Sequence, residues 1–170
     1  ILGFVRAVDT NDADFFEQNM EDTQKFLSIL VPGETYTTLL GYTYETNEEL
    51  SIRMIDNSQR LKLSLTETFE AKQTPLIIAC ILIKPKIANA ILCLAKVQDI
   101  AINAKDNFGY TAFIYACEKG LTDIVAMMLE MAQKLKIDLN AKDVWKRTGF
   151  ICTCECKHSE IIDLIMAKAE

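Results

Sequence analysis

Asp106-Asn107-Phe108-Gly109-Tyr110-Thr111-Ala112-Phe113-Ile114-Tyr115-Ala116-Cys117-Glu118-Lys119-Gly120 decides how this chain folds. Asp106 and Gly109 bracket a tight turn, where glycine takes the positive φ that side chains resist. Thr111 is placed to cap a helix, its hydroxyl accepting from an amide of the first turn. Phe113, Ala116 and Cys117 then share one face at i, i+3 and i+4. Gly120 ends that helix, and Ile124, Val125, Met128 and Leu129 form the apolar stripe of a second one. Helices this short are marginal alone, so the unit needs neighbours to bury its faces.

The neighbours lie in the same chain at a period of 37 residues. One step forward, Asn140-Ala141-Lys142-Asp143 repeats Asn103-Ala104-Lys105-Asp106, while Thr148, Phe150 and Cys154 fall on Thr111, Phe113 and Cys117. Ile161, Ile162, Ile165 and Met166 repeat the second stripe. One step back, Thr74-Pro75-Leu76-Ile77-Ile78-Ala79-Cys80 falls on Thr111 to Cys117, and Ile87, Ala88, Ile91 and Leu92 supply the stripe. A fixed period of this size marks stacked repeats, each burying its apolar faces on the next.

Thr-Pro-Leu-x-x-Ala at Thr74, Asp-x-x-Gly-x-Thr at Asp106, and Asn-Ala-x-Asp at Asn103 and Asn140 resemble the ankyrin repeat. The resemblance implies an all-α fold, an ankyrin-type helical solenoid of paired antiparallel helices with β-turn or hairpin loops. The period of 37 exceeds the family's usual value of about 33. The surplus falls after the second stripe, as at Glu130 to Lys136. About four residues make one helical turn, so the second helix is expected to be a turn longer, with Leu135 continuing the Met128 face.

The first seventy residues carry the register in weaker form. Leu50, Ser51, Met54 and Ile55 lie one period before the Ile87 stripe, and Thr37-Thr38-Leu39-Leu40-Gly41-Tyr42 lies one period before Thr74 to Ala79. Tyr42 there replaces a small alanine. Phe15, Phe16 and Met20 form a stripe earlier still, led by Phe4 to Val8. The expected organisation is one domain, 1–170, of about five units: a degenerate capping repeat at 1–35, a degenerate repeat at 36–70, and repeats at 71–105, 106–142 and 143–170. An atypical end repeat is expected because a cap turns one face to water. Glu21 to Thr35, with Pro32-Gly33, reads as an irregular connection. Thr66 to Lys72 lacks the Asp-x-x-Gly turn.

Half of the residues are apolar and the net charge is −6. Residues 1–70 hold 13 acids against 5 bases, and the remainder 11 against 13. The acidic half is either a solvated surface or a field that steers a basic partner. It argues against nucleic acid, which calls for a basic face. The most apolar run, Leu76 to Ile83, is too short to span a bilayer and is closed by Lys84-Pro85-Lys86. The chain begins at Ile1 rather than Met, which reads as a fragment or a processed product.

The cysteines suggest two chemistries. Cys80, Cys117 and Cys154 share one repeat position on the inner helix face, where a small apolar thiol packs well. Packed helices lie about 10 Å apart, too far for a disulfide. Unpaired thiols suit a reducing compartment, cytoplasm or nucleus. Cys152, Cys154, Cys156 and His158, the last being the single histidine, resemble a zinc ligand set by residue type. On a helix, however, i and i+2 point apart. Cys154 is expected in the core, and His158 at a post-helix turn where ankyrin repeats carry histidine for structure. The reading is therefore no metal and no cofactor, with a metal- or redox-responsive module built on Cys152, Cys154, Cys156 and His158 as the alternative, Cys152, Cys156 and His158 as its candidate metal ligands, and Cys156 as an exposed, oxidisable thiol. A purified sample without stoichiometric zinc removes the zinc version. No nucleophile–base pair, glycine-rich phosphate loop or paired carboxylates stand out, and one histidine leaves little acid–base chemistry.

Protein recognition without catalysis remains, and the resemblance supplies positions for it. The partner-facing positions it implies are the loop tips Lys105, Asn107, Phe108 and Tyr110, then Lys142, Val144, Trp145 and Arg147. It adds the first-helix ends Ile81, Leu82, Glu118, Lys119, Glu155 and Cys156. Trp145 is the only tryptophan, and Trp, Tyr and Arg dominate interface hot spots. Ile81 and Leu82 are apolar where the later repeats are charged, which indicates either a partner or a displaced helix that buries them. The expected protein is a monomer that binds a protein partner, with no nucleic acid and no membrane span. A narrower alternative is an inhibitor of a transcription factor of the IκB-like kind. Asp138-Leu139-Asn140 resembles the context that asparaginyl hydroxylases accept, which makes Asn140 a candidate modification; its ordinary role is to brace the loop, as for Asn103. An unmodified Asn140 in protein from the native source, read by mass spectrometry, removes that candidate.

Overall fold

Three threonines, spaced one period apart, start three helices. Thr74, Thr111 and Thr148 each accept at the side-chain oxygen from the amide three residues on, Ile77, Ile114 and Ile151, at 3.3, 3.3 and 3.4 Å. The computed structural model describes residues 15, 43–45, 47–59, 65, 66, 68, 70–95, 97, 98 and 100–169. Its α-helices are α1 (Glu48–Asp56), α2 (Pro75–Ile81), α3 (Pro85–Leu94), α4 (Ala112–Glu118), α5 (Thr122–Leu135), α6 (Gly149–Cys156) and α7 (Ser159–Ala169), with a 3-10 turn at Glu70–Lys72. No strand occurs among the described residues. Helices α2, α4 and α6 form an inner row and α1, α3, α5 and α7 an outer row; within each repeat the inner helix packs on the outer one that follows it.

The apolar stripes are the reason for this arrangement. Leu50, Ser51, Met54 and Ile55, then Ile87, Ala88, Ile91 and Leu92, then Ile124, Val125, Met128 and Leu129 are all buried. With Leu76, Cys80, Phe113, Ala116 and Cys117 they make one continuous core, which reaches Ile161. Phe15 is helical and packs on the same core. The other expectations for 1–42, including Phe16, Met20, Pro32-Gly33 and Tyr42, lie outside the described residues. Gly149 sits where α6 crosses α4. A Cβ there would lie 2.9 Å from the Phe113 ring and 3.0 Å from Cys117 Sγ.

Each inner helix ends in the same way. Ile83, Gly120 and Lys157 occupy one repeat position, all at positive φ (54, 70 and 61°). Their amides donate to Cys80, Cys117 and Cys154, while the next amides donate to Ala79, Ala116 and Thr153. This is the Schellman pairing that satisfies the last carbonyls of a helix. The turn before each inner helix repeats as well. Lys72, Gly109 and Lys146 share a position and positive φ (60, 77 and 66°). Lys72 thus takes the left-handed backbone of the missing glycine, but the turn there is not the same: Ala71 before it is also left-handed (φ 55°), whereas Phe108 and Trp145 at that position are not.

Two expectations are corrected. The longer second helix holds for α5, with 14 residues and Leu135 against the core. It fails for α3, which stops after 10 residues, and there Val97 and Gln98 fold back onto the Leu94 carbonyl as a turn. Cys154 is exposed rather than in the core, and Cys152 is buried instead. The Phe113–Cys117 face of α4 is covered by α6, whereas no described helix covers the corresponding face of α6. For the same reason Ile161 is buried while Met166 is exposed.

Ile83 is a β-branched residue held left-handed and 56% exposed, a combination that costs about 1–2 kcal/mol. Ile83→Gly relieves the strain, loses little burial and gives back part of the gain as unfolded-state entropy. It is expected to raise stability by about 1 kcal/mol in urea unfolding; a lower midpoint would show that Ile83 packs more than its exposure indicates.

Candidate functional site

Two buried carboxylates build the loop tips. Asp106 Oδ1 accepts from the amides of Phe108 and Tyr110, both at 2.9 Å, and its Oδ2 accepts from the Tyr115 hydroxyl at 2.7 Å. One period on, Asp143 Oδ1 accepts from the amides of Trp145 and Arg147, both at 2.9 Å, and its Oδ2 from Arg147 Nε at 2.8 Å. The backbone closes each tip: Asp106 donates to Tyr110 O and Asp143 to Arg147 O, both at 3.0 Å. Adjacent tips are tied through the main chain, Asn107 N–H to Ala71 O at 2.8 Å and Val144 N–H to Phe108 O at 3.0 Å. Gly109 permits this approach, because a Cβ there would lie 3.1 Å from Val144 N.

This frame presents aromatic rings. Phe108 and Trp145 stack nearly parallel, 8° apart with centroids at 6.4 Å, and they remain 51% and 58% exposed. Arg147 lies over the Trp145 ring at 5.0 Å and over Tyr110 at 5.8 Å. It also pairs with Asp143 and Glu155 and donates to the Tyr110 hydroxyl. Lys105 Nζ reaches the Lys142 carbonyl at 2.9 Å. Lys142 and Lys146 are exposed and form no ion pair among the described residues.

The candidate contacts divide accordingly. Phe108, Asn107, Lys105, Lys142, Val144 and Trp145 are exposed on the tips. Tyr110 is not: it is 7% exposed, against Tyr115 at 4.6 Å and edge-on to Trp145 at 6.2 Å. Burial, with the Glu118 carboxylate beside it, holds its phenol above the ordinary range. Tyr110 is therefore a support for the tip rather than a contact. Glu118 pairs with Lys119 at 3.2 Å, and Glu155 is held by Arg147. Ile81 and Leu82 are half-buried against the core, and the exposed apolar residue of that repeat is Ile83.

The cysteine-rich run does not converge. Cys152 faces the buried cluster of Tyr110, Ile114 and Ala141, while Cys154 and Cys156 are exposed. His158 Nε2 lies 3.0 Å from the Glu118 carbonyl, and its ring covers Gly120, where a Cβ would meet it at 2.8 Å. The single histidine thus braces one repeat on the one before it. No group of three or more His, Cys, Asp or Glu side chains is arranged around a common point among the described residues. Burial pushes the Cys80 and Cys117 thiols up to about 12 and the Cys152 thiol up to about 11, so these three are unreactive at neutral pH. Asn103 braces the loop as expected, donating to Lys136 O and accepting from the Asp138 amide, both at 2.8 Å. Asn140 is exposed, and its side chain makes no such bond among the described residues.

The sequence places Asp106 at the tight turn and repeats it at Asp143, but neither was read as the hydrogen-bonded centre of its tip, and Lys146 was not read as exposed on one; the available signal for the aspartates was their recurrence five residues before each capping threonine, Thr111 and Thr148.

A stack of helix pairs with hydrogen-bonded tips is a repeat solenoid of the interaction-scaffold class. The family profile described as "Ankyrin repeats (3 copies)" matches residues 47–143, and the chain belongs to the ankyrin-repeat family. Its fold is similar to the crystal structure of the ankyrin repeat domain of Bcl-3, a member of the IkappaB protein family. The TM-score is 0.77 at 19% identity, covering 97% of this chain and 70% of that one. No curated protein matches the sequence.

Asp143→Ala strands two backbone amides and removes one of the two carboxylates paired with Arg147, and is expected to cost about 2–3 kcal/mol. Trp145→Ala removes an exposed ring and should cost about 1 kcal/mol or less. Urea unfolding of the two variants checks this; equal losses would make Trp145 a structural residue.

Proposed function

We propose that this chain is a non-catalytic protein-recognition module whose contact surface is the row of loop tips, centred on Phe108 and Trp145. The supporting observation is the exposed aromatic stack on a rigid frame. Soluble domains rarely leave two large rings stacked in water, and rings fixed before binding lose little entropy on contact. Ankyrin repeats serve generally as interaction modules, which supports the same reading. Lys105, Asn107, Lys142 and Val144 extend the surface, with Glu118, Lys119 and Glu155 at its floor. Inhibition of a transcription factor in the IκB-like manner is a narrower version, and its support is the fold shared with the Bcl-3 domain. Six cysteines, none paired in a disulfide, suit a reducing cytoplasm or nucleus.

A Phe108→Ala/Trp145→Ala variant is expected to fold as the parent does and to lose at least tenfold in affinity for the native partner, since hot-spot rings contribute about 2 kcal/mol or more. Affinity capture from native cells, with mass spectrometry and then titration of the captured protein, measures this. Undiminished capture by the variant would move the contact surface away from the tips.

A further inference from the structure

Polar links sort the stack into two bodies. At the end of α3, Gln98 Nε2 donates to Ser58 Oγ at 3.1 Å, which ties that end back to the residues after α1. A few residues on, Asn103 donates to Lys136 O and accepts from the Asp138 amide, both at 2.8 Å, which ties the next loop forward to the end of α5. Between the two lies a cleft of about 240 Å³, with Ala95 and Gln98 on one side and Ile100, Ile102 and Leu135 on the other. It sits beside the last turn of α5, the turn that the shorter α3 lacks.

The packing divides at the same place. Helices α4 and α6 cross closely because Gly149 has no side chain, whereas Ala112 holds that repeat position in α4, next to α2. Contact between α2 and α4 is smaller than between α4 and α6, and α3 and α5 touch less than the other neighbouring pairs of outer helices do. The boundary between the α4–α5 and α6–α7 pairs is crossed by Val144 N–H to Phe108 O, Lys105 to Lys142 O, Arg147 to Tyr110 and His158 to Glu118 O. The boundary between the α2–α3 and α4–α5 pairs is crossed, among the described residues, by one main-chain hydrogen bond, Asn107 N–H to Ala71 O. Its acceptor lies in a tip where Ala71 and Lys72 are both left-handed (φ 55 and 60°), a costly backbone for residues with a Cβ.

We infer that the stack is hinged at this boundary: α1–α3 and α4–α7 open and close against each other as two folded bodies, the cleft widening while the tip bond from Asn107 to Ala71 holds. Phe108 and Trp145 both ride on the second body, and Ile81 to Ile83 ride on the first. The hinge angle therefore sets the distance between those two surfaces, and a partner that touches both fixes it. The hinge stands or falls independently of the loop-tip reading.

The protein carries its own reporters. Cys80 in α2 and Cys117 in α4 share a repeat position and are fully buried, and burial pushes both thiols up alike to about 12. Cys80 lies beside Cys117, on the hinge side of α4, while Cys117 packs against α6 at Gly149. The test exposes the whole folded chain to short pulses of iodoacetamide, and mass spectrometry of its peptides reads the two thiols separately. When closing outpaces labelling, each rate follows the population of the open form. Cys80 is expected to react about tenfold faster than Cys117, and above the urea midpoint the two should react alike. Ser51 is buried within the first body, so the thiol of a Ser51→Cys variant should stay several-fold slower than Cys80. Equal rates at Cys80 and Cys117, or a faster Cys117, overturn the hinge. If the introduced thiol keeps pace with Cys80, the first body unfolds as a whole and does not swing, which overturns it as well.

Discussion

A carboxylate without water around it must find donors, and this fold is organised so that two of them do. Asp106 and Asp143 are each buried, and each takes two backbone amides and one side-chain donor. Charged hydrogen bonds of this kind contribute more than neutral ones, and leaving a buried charge unpaired costs several kcal/mol. Each aspartate therefore holds its tip in one conformation. That conformation places Asn107 and Val144 where they donate to the previous tip. The row of tips follows from the aspartates, and the exposed rings follow from the row.

The helices obey a different constraint. Their lengths are too short for independent stability, and they persist because each stripe is buried on two sides. Where only one side is covered the pattern weakens, as at exposed Cys154 and Met166. The left-handed positions show how strongly stacking overrides local preference. Ile83, Lys72, Lys146 and Lys157 all take the backbone that Gly109 and Gly120 take freely, because the neighbouring repeats require the chain to turn there.

Much of this is legible in the amino-acid sequence. The Thr111 cap, the stripes at Ile87 and Ile124 and the end at Gly120 can each be read within one repeat, because each depends on residues at most a few positions away, and the bracing role of Asn103 follows from its recurrence at the seam between repeats. Features that depend on what covers a repeat were not legible. Tyr110 looks like a tip contact in its own unit, and only Arg147 and Tyr115 closing around it make it a support. Cys154 matches Cys117 in sequence, yet the residues that bury Cys117 have no described counterpart beyond α6. The α3 helix stops early although α5 in the same register does not, and the periodicity of apolar residues carried no sign of the turn at Val97 and Gln98.

The two edges of the stack are joined by different forces. At the tips, neighbouring repeats share main-chain hydrogen bonds and the Arg147–Tyr110 contact. Between the outer helices the described polar links are side-chain ones near the helix ends, Lys86 to Glu48 and Thr122 to Glu160, both at 3.5 Å, with Gln98 donating to Ser58 just past α3 and α1 at 3.1 Å; the rest is apolar contact, which has no preferred direction. Side-chain links and apolar contact yield to small rotations more easily than main-chain bonds do, so a bending load is expected to open the stack between the outer helices first and to alter the surface that carries Phe108 and Trp145 last.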